Sequence, residues 1–369
     1  MQVSQKTRLK LGRVGLLIIT WILVAFYSTV QEALFLSNFP GLIDSEMLHG
    51  YTPYDSFLSV IILVIGSGLI VGLVEVFWFQ RRARRLRFGR VLATRSLFYI
   101  AIVLLMSILA SFFYNTSISD QPPWSPVVLA EVQRSVLSGS LLYSLLPISL
   151  LVVLTLTVIQ VSNIFGPGML PRFIAGRYFD PTEELRAFMF IDVKSSTTIA
   201  EDIGNIKFFG FINQFIQDAT DPILAHSGEI YKYVGDEIII SWTASSARSC
   251  IPCFHAVQDA INAASQRYLD IYGYVPELKA GAHCGPVIVG EIGILKKEIM
   301  YLGDVLNTTA RIQALCNQYG HSLLVTTDIL ALQDSPDYTI QELGDLPLRG
   351  KVTPTHILGI QRKTTPAQQ

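Results

Sequence analysis

Four long apolar runs crowd the first half of this chain, at residues 14–34, 57–79, 96–114 and 136–161. A helix needs about 20 consecutive apolar residues to cross a bilayer. Each run is long enough, so residues 1–162 are expected to form a four-helix transmembrane domain, all-α. The third and fourth runs hold no charged residue. The first is too long for the apolar region of a signal peptide, and no small-residue cleavage site follows it.

The basic residues orient these runs. Lys6, Arg8, Lys10 and Arg13 precede the first run. Residues 38–55 carry no Lys or Arg, but hold Asp44, Glu46 and Asp55. Arg81, Arg82, Arg84, Arg85, Arg87, Arg90 and Arg95 follow the second run, and Arg134 alone stands in the third loop with Asp120 and Glu131. Positive residues stay inside. Both termini are therefore expected in the cytoplasm, with a multi-pass placement in the cell (inner) membrane and the bilayer as a partner. The arginine cluster reads as a topology signal that also touches acidic head groups, or as a regulatory lipid site. Glu75 and Glu32 fall within apolar runs and read as ion-paired or snorkelling acids, or as functional ones.

Only 15% of the 369 residues are charged, against about a quarter in ordinary soluble domains. That deficit belongs to the first half; from about Arg177 onward the mix suits a soluble α/β domain. With 28 basic and 29 acidic residues, bulk charge gives no reason to expect nucleic acid as a partner. Cys250, Cys253, Cys284 and Cys316 all lie in the second half. One C-x-x-C without a second pair is a poor zinc site, and buried core thiols in a reducing compartment are expected.

Residues 163–182 form the expected connector. Within it, NIFGPGMLPRFIAGRYFDP (residues 163–181) contains three prolines and three glycines, which break a continuous helix. It reads as a tether or as a coupling segment. The catalytic half is expected over residues 183–362, with a short tail at 363–369.

In that half, AFMFIDV (residues 187–193) reads as a strand carrying Asp192 near its end. Lys194, Ser195, Ser196, Thr197 and Thr198 lead into a helix expected from about Ile199 to His226. An acid at a strand end beside a helix start suits a hard cation and a phosphate. Residues 229–242 read as a hairpin turning at Gly235–Asp236, which presents a second carboxylate, Asp236. Two such aspartates suit a pair of divalent ions and displacement at phosphorus; each alone would more often be a turn or cap residue. Lys232, between Tyr231 and Tyr233, points either to solvent or into a pocket. Residues 277–292 read as strand, Gly285–Pro286 turn, strand. A helix follows over 303–319, where Asn307 and Arg311 share one face.

Together these segments resemble the class III adenylate/guanylate cyclase family, in its membrane-bound bacterial type with four transmembrane helices. The segments are FMFIDVKSSTTIAEDIG, YKYVGDEIIISW, AGAHCGPVIVGEIG and YLGDVLNTTARI, at residues 188–204, 231–242, 280–293 and 301–312. The resemblance covers about residues 187–360. It implies a C-terminal α+β domain of ferredoxin-like βαββαβ type. It also implies conversion of ATP to 3′,5′-cyclic AMP and pyrophosphate, with two Mg²⁺ (or Mn²⁺) per site.

The family's roles carry over as implications. Asp192, Asp236 and the carbonyl of Val193 match metal ligands. Ser195, Ser196 and Thr197 match the phosphate corner. Lys232 matches the purine-reading position, where lysine implies adenine. Asn307 matches the ribose-orienting residue, and Arg311 the residue that stabilises pentavalent phosphorus. Arg349, or nearby Lys351, matches the terminal-phosphate position. Met300 departs from the pattern: many members place there an Asp, Thr or Ser that accepts from the adenine amine, and methionine is a poor acceptor. The family builds its site between two catalytic domains, so a homodimer is implied for a chain with one. Three readings compete: a receptor or transporter whose cyclase-like domain only binds nucleotide, a guanylate cyclase, and a diguanylate cyclase, whose double-glycine acidic signature the hairpin lacks.

Overall fold

In the computed structural model, the residues described are ten positions between Gly15 and Leu34, together with 88–119, 121–137, 139–165, 175–332, 338–348, 351 and 354–363. The chain divides into two compact units, Leu9–Phe165 and Met1–Arg8 with Gly166–Gln369.

In the first unit α1 (Phe88–Ser119), α2 (Pro126–Leu137) and α3 (Gly139–Phe165) are described. The expected third run lies within α1, which extends beyond it at both ends. Pro122 and Pro123 separate α1 from α2, whose proline sits in the first helical position, where a missing N–H costs nothing. Ser125 caps this start, its Oγ accepting from the Val128 amide at 3.3 Å. The expected third loop therefore contains a helix, on which Arg134 and Glu131 form an exposed ion pair. The expected fourth run lies across the end of α2 and most of α3. Tyr99 and Val103 of α1 pack with Val152, Leu156 and Ile159 of α3, while Leu97, Leu105, Leu150 and Leu154 face outward. Among the described residues one helix, Gly89–Leu109, is long and apolar enough to cross a membrane. The first expected run is helical at each described position; the second, with Glu75 and Arg81 to Arg87, lies outside the described residues.

The second unit is built on an eight-stranded sheet: β1 (Thr182–Val193), β2 (Glu229–Val234), β3 (Glu237–Thr243), β4 (Leu278–Ile292), β5 (Glu298–Leu302), β6 (Leu323–Thr326), β7 (Tyr338–Leu346) and β8 (Thr355–Arg362). The order is β2-β3-β1-β4-β6-β8-β7, with β5 paired to β4. Between strands run α4 (Ser196–Ile203), α5 (Asn205–Ala225), α6 (Cys250–Ala263), α7 (Ser265–Tyr272), α8 (Asp304–Tyr319) and the one-turn α9 (Thr327–Leu330). The stretch from β1 to β4 has the expected βαββαβ order, all antiparallel. Four further strands continue it, with β6 parallel to β4.

β1 reads as an unbroken apolar run because both its faces are buried. Ala187, Met189, Ile191 and Val193 face a core shared with Phe211 and Phe215 of α5 and Phe254 of α6. Phe188 and Phe190 face a second cluster with Val287, Tyr301 and Val305. All four cysteines are free and buried.

Two local expectations are corrected. The single helix expected over 199–226 is two helices, divided at Gly204, whose φ of 80° favours glycine. The expected turn at Gly285–Pro286 is instead continuous strand. Pro286 pairs with Leu185 of β1. On the other edge β6 pairs only with residues 280–282 and β5 only from Ile288, so the proline stands where neither strand needs its missing N–H.

α8 lies directly on β4 at Gly281. A Cβ there would stand 2.7 Å from the carbonyl oxygen of Thr309 and closer still to the amide nitrogen of Gln313. Gly281→Ala is therefore expected to lift α8 and cost about 1–3 kcal/mol, the usual range for overpacking. A lowered melting temperature of the detergent-solubilised chain checks this.

Candidate active site

The acidic corner forms where β1 ends. Asp192 stands opposite Lys279 in the β1–β4 register. Its Oδ2 accepts from the Gln313 side-chain amide at 2.7 Å and lies 3.0 Å from the Lys279 ammonium. The hairpin brings Asp236 to the same place: Gly235 takes a φ of 63° in the turn between β2 and β3, as a tight hairpin requires. Asp192 and Ser196 both lie close enough to Asp236 to act on its carboxyl. Ser195 precedes α4 in the left-handed region, φ 54°, a conformation non-glycine residues adopt rarely and at a cost. Ser195 and Thr197 are exposed, and the Val193 side chain is buried.

Burial, first, pushes the Asp236 carboxyl above its ordinary value; Asp192 beside it adds to this and Ser196 opposes it. Glu237 goes further, to about 7, through burial first, then the charges of Asp192 and Asp236, against which Lys279 acts. Among the described residues no group of three or more His, Cys, Asp or Glu side chains forms a metal cage. The corner instead offers two adjacent hard carboxylates, which suits a cation that keeps waters and shares its shell with phosphates.

The other expected residues lie elsewhere. Val305, Thr308, Thr309, Ile312, Gln313 and Cys316 form the buried face of α8, so Asn307 is exposed on the other face and Arg311 lies one turn further along. Nη1 of Arg311 is buried without a hydrogen-bond partner. Lys351 reaches Asp304 at 3.2 Å. Burial works against ionisation of Asp304, yet Lys351 and Thr308 hold its carboxyl below the usual range. Arg349 lies outside the described residues. Lys232 follows a bulge at Tyr231, which turns that ring onto Tyr301, 4.9 Å away. The lysine is half exposed, with Nζ 3.7 Å from Glu298. Glu298 stands two residues before Met300 on β5, on the same face. No hydrogen bond or ion pair joins Asn307, Arg311 or Lys232 to the two aspartates among the described residues.

Comparison with known proteins assigns this unit. Residues 180–360 match the adenylate and guanylate cyclase catalytic domain. This half of the chain is a class III cyclase catalytic domain. The chain is 33% identical over 198 residues to Adenylate cyclase 2 of Rhizobium meliloti, covering 53% of this chain and 54% of that protein. It is 25% identical over 154 residues to an adenylate cyclase of Anabaena cylindrica, covering 40% of this chain and 31% of that one. The chain thus spans about half or less of the length of these relatives. A bacterial light-regulated adenylyl cyclase shares the fold, with a TM-score of 0.50 at 21% identity over 59% of this chain and 66% of its own.

Three residues of the cyclase domain's acidic corner escaped the sequence reading: Glu237, Lys279 and Gln313. Glu237 adjoins Asp236 in sequence. Lys279 becomes visible once β1 and β4 are put in register, and Gln313 once α8 is laid on Gly281.

Glu237 sets a pH dependence. Its pKa is about 7 in the folded chain against 4.5 ordinarily, so between these values the folded state holds the extra proton. Its contribution to stability is complete below the lower value and is lost as pH rises through 7. With chelator present, the melting temperature is expected to fall between about pH 5 and 8, and Glu237→Gln to flatten that slope. An equal slope in the variant would reject the assignment.

Proposed function

We propose that the chain is a membrane-anchored adenylate cyclase that converts ATP to cyclic AMP and pyrophosphate at a homodimer interface. The observation that carries this is the convergence of Asp192 and Asp236 on one corner beside Ser196 at a helix start, within a class III cyclase catalytic domain. Mg²⁺ or Mn²⁺, bound as a pair by Asp192, Asp236 and the Val193 carbonyl, would neutralise phosphate charge and lower the pKa of the ribose 3′-hydroxyl. The 3′-oxygen attacks the α-phosphorus, the bond to the pyrophosphate oxygen breaks, and the hydroxyl proton passes to water.

In this reading Asn307 orients the ribose, and Arg311 stabilises charge developing at phosphorus. An arginine whose buried Nη1 has no internal partner is suited to that task. Lys232 reads the adenine, with Met300 two residues beyond its ion-pair partner Glu298. Arg349 or Lys351 holds the terminal phosphates, and Ser195, Ser196 and Thr197 line the phosphate corner. Among the described residues no hydrogen bond or ion pair joins Asn307 or Arg311 to the aspartates of their own chain, which supports a site completed by a second copy with two-fold symmetry.

Anchoring is part of the same proposal. Residues 1–162 are the transmembrane domain of four helices, 163–182 the connector, 183–362 the catalytic part and 363–369 the tail. Both termini lie on the cytoplasmic side of the cell membrane, where ATP is available. The helix Gly89–Leu109 and the arginine asymmetry support this.

The test is product formation by the whole solubilised chain, given ATP or GTP with Mg²⁺ or Mn²⁺. Cyclic AMP is expected as the main product; mainly cyclic GMP would overturn the substrate assignment, and no cyclic product would favour a nucleotide-binding receptor. Asp236→Asn and Arg311→Ala should each lose ~10²-fold or more. Co-expression of the two variants should restore activity through one intact site per mixed dimer.

A further inference from the structure

The Gln313 side chain is the buried group whose position the chemistry above does not use. It is 7% exposed, and its amide is committed to one atom, Oδ2 of Asp192, at 2.7 Å. Lys279 approaches the same oxygen at 3.0 Å. A carboxylate has about four lone-pair sites over two oxygens. Gln313 donates to Oδ2 and the Lys279 ammonium pairs with the same oxygen, while among the described residues no hydrogen bond or ion pair is made to Oδ1. Holding Oδ2 from two elements opposes rotation about the Cβ–Cγ bond, which would otherwise exchange the two oxygens.

The donors are themselves fixed. Lys279 is on β4, opposite Asp192 in the ladder. Gln313 is on α8, held against β4 by the missing side chain at Gly281.

We propose that Gln313 is a positioning residue: with Lys279 it clamps Oδ2 of Asp192 so that Oδ1 alone is presented to a divalent cation. This rests on the reading of Asp192 and Asp236 as the metal-binding pair. Groups that hold a ligating carboxylate from behind commonly govern metal affinity by 10–100-fold.

The proposal separates Gln313 from Asn307 and Arg311 on the same helix. Those two act on substrate, so their loss lowers turnover at any metal concentration. Loss of Gln313 shifts the metal requirement and spares turnover once metal is in excess.

The test is Mn²⁺ binding, without nucleotide, to the whole solubilised chain by electron paramagnetic resonance. Gln313→Met keeps the length and volume of the side chain and removes its donor. Its Mn²⁺ affinity is expected to fall ~10–100-fold, with cyclase turnover recovering to within a few-fold of the parent at saturating Mn²⁺. Gln313→Asn, which keeps the amide but falls a methylene short, gives a second reading should Gln313→Met fold poorly; it too should bind Mn²⁺ more weakly. Asp236→Asn serves as the control. If Asp236→Asn loses Mn²⁺ while both Gln313 variants bind it as the parent does, the clamp is refuted and the metal pair stands. If Asp236→Asn binds Mn²⁺ unchanged, the metal pair itself is refuted, and the clamp with it. Turnover that stays low in the Gln313 variants at saturating Mn²⁺ would also overturn the proposal, since a positioning role predicts recovery.

Discussion

All twelve residues of β1 pair with β4, from Thr182 opposite Val289 to Val193 opposite Leu278, and the cyclase domain is arranged around that ladder. Because the pairing is antiparallel, the end of β1 that carries Asp192 lies beside the start of β4, where Lys279 stands. Because β1 is central, with β3 on its other edge, the hairpin turn that carries Asp236 arrives at the same end. A one-residue slip would exchange the faces of β1. Phe188 and Phe190 would enter the α5–α6 core, and Asp192 would no longer meet Lys279. Packing on both faces therefore sets the register, and the register sets the acidic corner.

Gly281 makes the second demand. The residue on β4 that pairs with Phe190 must have no side chain, because the backbone of α8 passes over it. This approach buries Thr308, Thr309 and Gln313 and turns Asn307 and Arg311 the other way. A different polar arrangement lies at the opposite end of the ladder. There Arg186, 1% exposed, is held by Glu184, Glu229 and Ser241 and lies 4.9 Å from the Tyr301 ring. Every partner of that guanidinium comes from the sheet, so it ties β1 to β2, β3 and β5. A buried charge with its donors satisfied is tolerated, whereas one left without partners is not. Arg311 differs, its Nη1 being buried without a hydrogen-bond partner.

What the sequence disclosed follows from the range of each interaction. The strand carrying Asp192, the Gly235–Asp236 turn and the helix with Asn307 and Arg311 are written in local periodicity and turn chemistry. Gly204 was legible as a glycine, but an amphipathic pattern continued across it, and only its φ of 80° shows that the helix divides. Gly285–Pro286 has turn composition. It runs as strand because β1 pairs with it, and the proline is tolerated because neither β5 nor β6 pairs with that part of the β4 edge, facts about strands distant in sequence. Lys279 and Gln313 lie 87 and 121 residues beyond Asp192, and nothing local to either marks it as a partner of that acid. Lys232 was read as facing solvent or a pocket. The bulge at Tyr231, which a strict alternation cannot express, leaves it beside Glu298.

The charge balance of the corner accounts for its shape. Asp192, Asp236 and Glu237 are brought together with Lys279 as their nearby cation. With all three acids ionised the corner carries an excess of two negative charges. Burial and mutual repulsion answer this by raising Asp236 and Glu237 toward protonation. A fully self-neutralised corner would be more stable, and it would hold nothing. The excess is the feature that a divalent cation would relieve. The strain at Ser195 and the crowding of buried acids then represent stability given up locally, and the twelve-residue ladder and the two-sided core around it are what allow the domain to bear that loss.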